Sequence, residues 1–300
     1  MNCTKPECQP HQPTTLGRKL SRGRPWVQAG FLGVWLAPLG EWLHGIPGCV
    51  FHCYSCPLSS FGCPIGILAN YAALLPISAE VPYLLLGMLL VVGALTGSLA
   101  CGWACPFGYV QDLLAKLPTR KFSPPVWMGY FRYVVLLALV LLLPFLFGRQ
   151  GIHFEDQVLS ICRVCPAGAL EAGLPYSVRS LLAGDGWVMS WFKTALLLVF
   201  LGAALFIHRP WCRLFCPLGG ILALFNRFSL FHLRFNPRQC VECNLCRSRC
   251  LMGVHLDQRV NVTGCIRCLE CAKCGALEPG FAWPMDSGLA SAKLGPPRSP

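Results

Sequence analysis

The chain has 300 residues, of which 54% are hydrophobic and 13% are charged, and its formal net charge is +12. Soluble domains carry about 25% charged residues, so this composition excludes an ordinary soluble globular protein. The 20 cysteines in so apolar a chain favour a membrane protein with metal or redox sites. No nucleic-acid-binding motif accompanies the positive charge, which we attribute to membrane topology and to contact with anionic lipid.

Four long apolar stretches follow one another along the chain. They cover residues 27–46, 81–100, 133–147 and 187–207, and each is close to the roughly 20 residues that cross a hydrocarbon core. Lysine and arginine are concentrated in the N-terminal arm, after the second stretch and after the fourth, whereas the loop between the first and second stretches has none. This distribution predicts a multi-pass protein of the bacterial inner membrane with both termini in the cytoplasm.

The membrane part is predicted to be duplicated. Cysteine pairs recur at offsets of 109 and 111 residues, so that Cys53 and Cys56 correspond to Cys162 and Cys165, and Cys101 and Cys105 correspond to Cys212 and Cys216. Each repeat would consist of a span, an outer pair, a second span and an inner pair. The predicted fold is mainly α: a four-span helical membrane bundle of two parallel repeats, followed by a small two-cluster ferredoxin-like domain.

These patterns predict five segments. They are a basic cytoplasmic N-terminal arm (1–25), a first membrane repeat (26–130), a second membrane repeat (131–235), a tandem 4Fe–4S ferredoxin domain (236–280) and a disordered tail (281–300). The tail is rich in proline, glycine, serine and alanine, a composition with too few large apolar residues for a packed core.

Eight cysteines near the C-terminus are spaced like iron–sulfur ligands. The runs are Cys240-x2-Cys243-x2-Cys246-x3-Cys250 and Cys265-x2-Cys268-x2-Cys271-x2-Cys274. In two-cluster ferredoxins the fourth cysteine of each run ligates the other cluster. We therefore expect two [4Fe–4S] clusters, one held by Cys240, Cys243, Cys246 and Cys274, the other by Cys250, Cys265, Cys268 and Cys271. The second run has two rather than three residues before Cys274. Zinc is the alternative for paired Cys-x2-Cys motifs.

The membrane pairs could form two further four-thiolate sites, an inner one at the cytoplasmic surface and an outer one on the other side. Proline follows the second cysteine of every pair and favours a helix start there, which places the thiolate beside the positive helix end. For the inner site we expect a cluster or another metal, because thiols in a reducing compartment rarely form disulfides. For the outer site a metal or cluster is one possibility, and a disulfide or a redox-active thiol pair is the alternative. Cys3, Cys8, Cys49 and Cys63 receive no role.

Ionisable residues inside a predicted span are functional candidates. Glu41 and His44 stand three residues apart and share a helix face, so they are candidate quinone or proton ligands, with a solvated interfacial pair as the alternative. His153, Glu155 and Asp156, just outside the third stretch, are further candidates. No other catalytic residue is predicted.

The motifs Cys101-Gly-Trp-Ala-Cys105-Pro106-Phe-Gly and Cys212-Arg-Leu-Phe-Cys216-Pro217-Leu-Gly, with the C-terminal cysteine runs, resemble membrane ferredoxins of the NapH type over residues 25–280. NosR-type regulatory proteins and cytochrome oxidase accessory proteins linked to copper reduction are related. The resemblance implies a membrane component that takes electrons from quinol and passes them through [4Fe–4S] clusters to a partner.

We therefore expect an iron–sulfur electron-transfer protein, a component of a quinol dehydrogenase type of oxidoreductase, that connects the quinone pool with an unidentified protein partner. Two alternatives stay open: a cluster-linked copper reductase or thiol-based metal-handling protein, and a redox-sensing membrane regulator. The outer cysteines distinguish the electron-transfer hypothesis from the metal-handling hypothesis. A labile metal at these cysteines favours metal handling, and a permanent cluster favours electron transfer.

Overall fold

The computed structural model describes residues 15–36, 63–77, 81–122, 124–157, 159–236, 240, 245–254, 261–274 and 276–281. The chain divides into two compact units. Unit 1 comprises Met1–Val27, Val91–Ala104 and Ile221–Pro300, and unit 2 comprises Gln28–Leu90 and Cys105–Gly220. Each unit therefore contains segments from both predicted repeats.

The described elements are mostly helices. In chain order they are α1 (Thr15–Leu36), α2 (Pro64–Leu74), α3 (Tyr83–Thr96), α4 (Leu99–Trp103), α5 (Pro106–Leu114), α6 (Phe131–Val135), α7 (Leu143–Arg149), α8 (Ile161–Val164), α9 (Pro166–Gly168), α10 (Leu174–Ala183), α11 (Trp191–Phe206), α12 (Pro210–Leu214), α13 (Pro217–Leu224), β1 (Phe231–Phe235), α14 (Leu245–Ser248) and β2 (Leu277–Phe281).

Four of the described helices begin at the proline that follows a cysteine. These are α2, α5, α9 and α13, which start at Pro64, Pro106, Pro166 and Pro217. Proline suits this position because it lacks the N–H that has no partner in the first turn, and its φ is already helical. The helix starts predicted after Cys105, Cys165 and Cys216 are confirmed.

One helical run among the described residues is long and apolar enough to cross a membrane. It is Trp127–Arg149, with 23 residues and a mean hydropathy of 2.3, and it contains the third predicted span. α3 and α11 are apolar but have 14 and 16 residues, so at about 1.5 Å per residue they fall short of a core about 30 Å thick. The described helices therefore do not confirm a four-span bundle.

The long run continues past Pro144, which lies inside the third and shortest of the four predicted spans. A π-helical segment, Leu136–Leu142, separates α6 from α7 just before this proline. Proline removes one helical hydrogen bond and its ring crowds the carbonyl four residues earlier. A wider π turn absorbs that crowding, which explains why the helix is not broken.

α1 begins inside the predicted arm and extends into the first predicted span. The rest of that span lies outside the described residues, and so do Glu41, His44, Cys49, Cys53 and Cys56. The same holds for Cys3, Cys8 and the predicted tail beyond Phe281.

The core of unit 1 is built on two antiparallel strands. β1 pairs with β2 in a register that sets Phe231 opposite Phe281 and Phe235 opposite Leu277. Their buried side chains pack with Leu269 and several cysteines. The compact fold around the C-terminal cysteines thus includes β1, which precedes the predicted domain start at residue 236.

The core of unit 2 is partly aromatic. Phe107, Trp211 and Leu197 are buried in one cluster, and the Phe200 ring meets the rings of Trp211 and Phe215 edge to face with centroids 4.9 and 5.4 Å apart. This cluster joins α5, α11 and α12, and the cysteines described below pack around it.

Candidate metal centres

A cavity in unit 1 is lined by four cysteines. They are Cys250, Cys265, Cys268 and Cys271. Apolar side chains such as Leu233 and Leu269 form much of the remaining wall. The structure thus brings together the four cysteines that the sequence assigns to one cluster, while their role as ligands stays a prediction.

Backbone N–H groups point at two of these sulfurs. Arg267 N donates to Cys265 Sγ at 3.3 Å, and Val254 N donates to Cys250 Sγ at 3.3 Å. Hydrogen bonds to the sulfurs are one of the features that set cluster potentials. Burial, reinforced by Cys268, raises the pKa of Cys265 to about 12, so this thiol keeps its proton until a metal displaces it. Four thiols, burial and N–H donors fit a [4Fe–4S] cluster.

The cluster and zinc alternatives differ in the arrangement of sulfurs that they require. Within the part of the chain that the structure describes, no group of three or more His, Cys, Asp or Glu residues could hold a metal ion. In a [4Fe–4S] cluster four cysteines ligate the whole cluster, so their sulfurs need not converge on one atom as they do around zinc. The cavity is therefore compatible with a cluster.

The second predicted ligand set is described only in part. Cys240 and Cys246 pack against the same core as the cavity cysteines. Cys274 ends a 3-10 helix, Glu270–Cys274. The side chain of Cys274 and the whole of Cys243 lie outside what the structure describes.

α4, which carries Cys101, lies directly against the cysteine loop of unit 1. A Cβ atom on Gly102 would collide with the carbonyl oxygen of Ile266, and Trp103 Nε1 donates to Arg267 O at 3.2 Å. On the other side of α4, Arg24 Nε donates to Gly102 O at 3.0 Å. The first inner motif therefore forms part of the wall that supports the cavity cysteines.

A buried polar network fixes the same loop from two further segments. The carbonyl of Cys265 accepts hydrogen bonds from Ser98 Oγ at 2.6 Å and from Asn226 Nδ2 at 2.7 Å. Ser98 N in turn donates to Asn226 Oδ1 at 3.0 Å. The Arg267 guanidinium donates to Asn226 O at 2.6 Å and to Thr96 O at 3.1 Å. These bonds hold Arg267 in a left-handed conformation, with φ of 51°, which a non-glycine residue rarely adopts.

The two inner motifs meet in unit 2. Cys105 Sγ accepts a hydrogen bond from Gly108 N at 3.4 Å, and Cys216 Sγ accepts one from Gly219 N at 3.4 Å. Gln111, on α5 after the first motif, donates through Nε2 to Cys212 Sγ at 3.3 Å. A side chain from one repeat thus contacts a cysteine of the other. These contacts involve Cys105, Cys212 and Cys216, whereas the fourth inner cysteine, Cys101, belongs to unit 1.

A buried ion pair joins the same two motifs. Arg209, directly before α12, is fully buried, and its Nε and Nη2 atoms lie 2.7 and 2.6 Å from the two carboxylate oxygens of Asp112 on α5. Burial lowers the pKa of Arg209, but the Asp112 carboxylate outweighs this and holds it above the usual value. Burial raises the pKa of Cys212, and the Arg209 charge opposes that rise.

Cys165 of the second outer pair is not set apart from the inner motifs as predicted. Cys165 packs against the same buried cluster as Cys105 and Cys216. The predicted separation into two distant layers is therefore wrong for Cys165. The reason is that the segment after it folds back: Ala169 is fully buried in that cluster, and Met189 packs against Gly173. Cys162 lies in α8, and its predicted partners Cys53 and Cys56 lie outside the described residues.

Several charged and polar residues near the inner motifs were not predicted from the sequence. Gln111, Asp112 and Arg209 are described above. Glu171 is a fourth, since a backbone hydrogen bond from Phe107 places it beside the first motif. Burial raises the pKa of Glu171 to about 8, although that hydrogen bond opposes the rise. In the sequence, the adjacent polar residues Gln111 and Asp112 in the otherwise apolar helix α5 were the pattern that could have indicated these contacts. Of the weaker candidates, His153 directly precedes the 3-10 turn Phe154–Asp156 and Asp156 ends it; both are exposed, whereas Phe154 is buried and the side chain of Glu155 lies outside what the structure describes.

Comparison with known proteins bears on the inner motifs. A family model described as "4Fe-4S binding domain" matches residues 79–125 and 188–236. Each matched segment contains one inner motif and the apolar stretch before it, and the two segments begin and end at the offsets of the predicted duplication.

Similar proteins are known from archaea and bacteria. The chain is 32% identical over 200 residues to the uncharacterised protein MJ0750 of Methanocaldococcus jannaschii, covering 62% of this chain and 74% of that protein. It is 29% identical over 206 residues to the putative electron transport protein YccM of Escherichia coli, covering 62% and 52%. It is 29% identical over 182 residues to the regulatory protein NosR of Stutzerimonas stutzeri, covering 57% and 22%. The chain thus spans about half of YccM and about a fifth of NosR. No solved structure matches.

Proposed function

Because the chain belongs to the NapH- and NosR-like family of 4Fe–4S proteins, we propose that it relays single electrons in a membrane between the quinone pool and a protein partner. The observation that carries the proposal is the contact of α4 with the cysteine loop, where Trp103 binds the backbone of Arg267. Trp103 lies between the two cysteines of the first inner motif, so this contact places that part of the motif against the loop that carries Cys265 and Cys268.

The cavity residues would hold one [4Fe–4S] cluster, which takes up and gives up one electron at a time when bound. The chain's own contribution is to hold the four thiols of that cavity in place. The Ser98 and Asn226 hydrogen bonds to Cys265 O and the apolar wall keep the loop fixed and water out. Cys105, Cys212 and Cys216 would hold a second redox centre, to which the family model at both inner motifs lends support.

Exposed apolar side chains support the membrane location. Leu84 on α3, and Leu198 and Val199 on α11, are 77%, 64% and 64% exposed. Soluble proteins rarely expose large contiguous apolar patches, whereas lipid solvates such side chains. Trp127, at the start of the long run, is also exposed, as expected of an aromatic residue at a membrane interface.

The proposal can be tested on anaerobically purified protein in detergent. Reduction of the clusters by a quinol analogue is followed by EPR in the wild type and in a Cys105→Ser/Cys216→Ser variant. We expect quinol to reduce the wild type. In the variant, only dithionite should reduce the C-terminal clusters, which remain assembled. Cys8→Ser is the control, since Cys8 lies in no predicted ligand set. Normal quinol reduction in the double variant would show that the inner motifs are not part of the relay.

A further inference from the structure

We propose that Arg209 and Asp112 form a charge pair that sets the reduction potential of the inner redox centre, with Arg209 as the dominant member. This inference rests on the proposed function, because it assumes that Cys105, Cys212 and Cys216 hold a redox centre. Both residues act through their charge and are positioning residues, not ligands.

The geometry places the guanidinium beside the inner motifs. A Cβ atom on Gly108 would stand 3.1 Å from the Arg209 guanidinium carbon, and Gly108 N is the donor to Cys105 Sγ. Arg209 also begins the turn into α12, which carries Cys212 three residues later. Glycine at position 108 is what allows the planar guanidinium to lie this close to the first motif.

Burying the charge of Arg209 costs free energy, which argues that this residue has a specific role. Arg209 has a left-handed φ of 51° and no exposed surface. A buried charge loses its hydration, and one carboxylate rarely restores all of that loss. Asp112 retains some contact with solvent, with 13% of its side chain exposed, against 0% for Arg209. The positive member of the pair therefore lies in the less polarisable surroundings and acts more strongly on its neighbours.

Reduction adds one negative charge to a centre that already carries thiolates. A fixed positive charge nearby stabilises the reduced state more than the oxidised state and so raises the potential, while a nearby carboxylate does the opposite. The two members of the pair consequently have opposite effects. A purely structural ion pair would not show this, since loss of either partner would then disturb the fold in the same way.

The test is a redox titration monitored by EPR on four proteins: wild type, Arg209→Gln, Asp112→Asn and the double variant. The signal used is the one that Cys105→Ser/Cys216→Ser abolishes. At a fixed potential we expect Arg209→Gln to lower the ratio of reduced to oxidised inner centre about tenfold, equivalent to about 59 mV for a one-electron couple. Asp112→Asn should raise the ratio, and the double variant should return close to the wild type.

Two controls keep the result interpretable. Arg209→Lys retains the charge and should stay near the wild-type ratio even if the protein becomes less stable. Arg120→Gln removes an exposed arginine, whose charge solvent and salt screen, and should leave the ratio unchanged. If both single variants shift the ratio in the same direction, or not at all, this inference is overturned while the relay stands. If the wild type has no signal that depends on Cys105 and Cys216, the proposed function fails first.

Discussion

Gly102 shows how one residue couples the first inner motif to the C-terminal cysteines. No side chain fits there, because a Cβ atom would strike the backbone carbonyl of Ile266. Backbone atoms cannot rotate away as a flexible side chain can, so a substitution must displace the loop that carries Cys265 and Cys268.

We expect Gly102→Ala to destabilise the C-terminal centre by about 1–3 kcal/mol, the usual cost of overpacking. The measurement is iron content after mild heating in detergent, where the variant should lose iron at a lower temperature than the wild type. Gly202→Ala is the matched control. Gly202 lies inside α11 with open space around its Cα atom, so alanine there should leave iron retention unchanged or improve it. Equal behaviour of the two variants would contradict the tight contact at Gly102.

Asn226 is the hub of the buried polar network, with hydrogen bonds to Ser98 and Cys265. Asn226→Ala would remove the acceptor of the Ser98 N–H, at about 1–3 kcal/mol for an unsatisfied buried group, and would leave Ser98 Oγ as the remaining side-chain donor to the carbonyl of Cys265. We expect faster cluster loss in urea, followed by the decay of visible absorbance. Asn226→Asp retains the acceptor for Ser98 but loses the donor to Cys265, so its rate should fall between those of the wild type and alanine. A rate equal to the wild type for Asn226→Ala would show that the network is not needed.

The grouping of the cavity cysteines could be predicted from the sequence, but their polar surroundings could not. Spacing alone groups Cys265, Cys268 and Cys271, because a loop this short brings its own thiols together. The contacts of Gln111 with Cys212 and of Asp112 with Arg209 join residues about 100 positions apart, and no local pattern encodes such a pairing. Cys165 was assigned to the wrong layer because a predicted loop was assumed to stay on one side of the membrane.

At the scale of elements, the β1–β2 pair closes the fold around the cysteine cavity. Leu233 on β1 and Leu277 on β2 are almost fully buried, whereas Phe281, at the end of the pair, is 78% exposed. The predicted boundary at residue 236 left out β1, although its sequence Phe-His-Leu-Arg-Phe alternates apolar and polar residues, which is the signal of a half-buried strand. Helix starts were predicted well, since Cys-Pro fixes them locally.

The strand pair yields a comparison between a buried and an exposed side chain. Leu277→Ala removes a core side chain and should cost about 2–5 kcal/mol. Phe281→Ala should cost far less, because its ring is mostly exposed. Urea titration with tryptophan fluorescence in detergent would measure both changes. A loss of stability for Phe281→Ala as large as that for Leu277→Ala would mean that the outer end of the strand pair carries the core contacts.

At the scale of the whole molecule, the apolar surface decides where the protein resides. The long run Trp127–Arg149 and the exposed leucines of α3 and α11 predict an integral membrane protein. We expect the chain to remain in the membrane pellet after extraction at alkaline pH and to enter solution only with detergent. Release by alkaline extraction alone would contradict the membrane account.

Iron and acid-labile sulfide analysis combined with EPR would decide whether this is an iron–sulfur protein with centres at both the C-terminal and the inner cysteines. We expect about eight irons or more per chain with matching sulfide, a loss of iron in Cys268→Ser, and a separate loss in Cys105→Ser/Cys216→Ser. Zinc in place of iron, or an absence of labile sulfide in anaerobically purified protein, would contradict it.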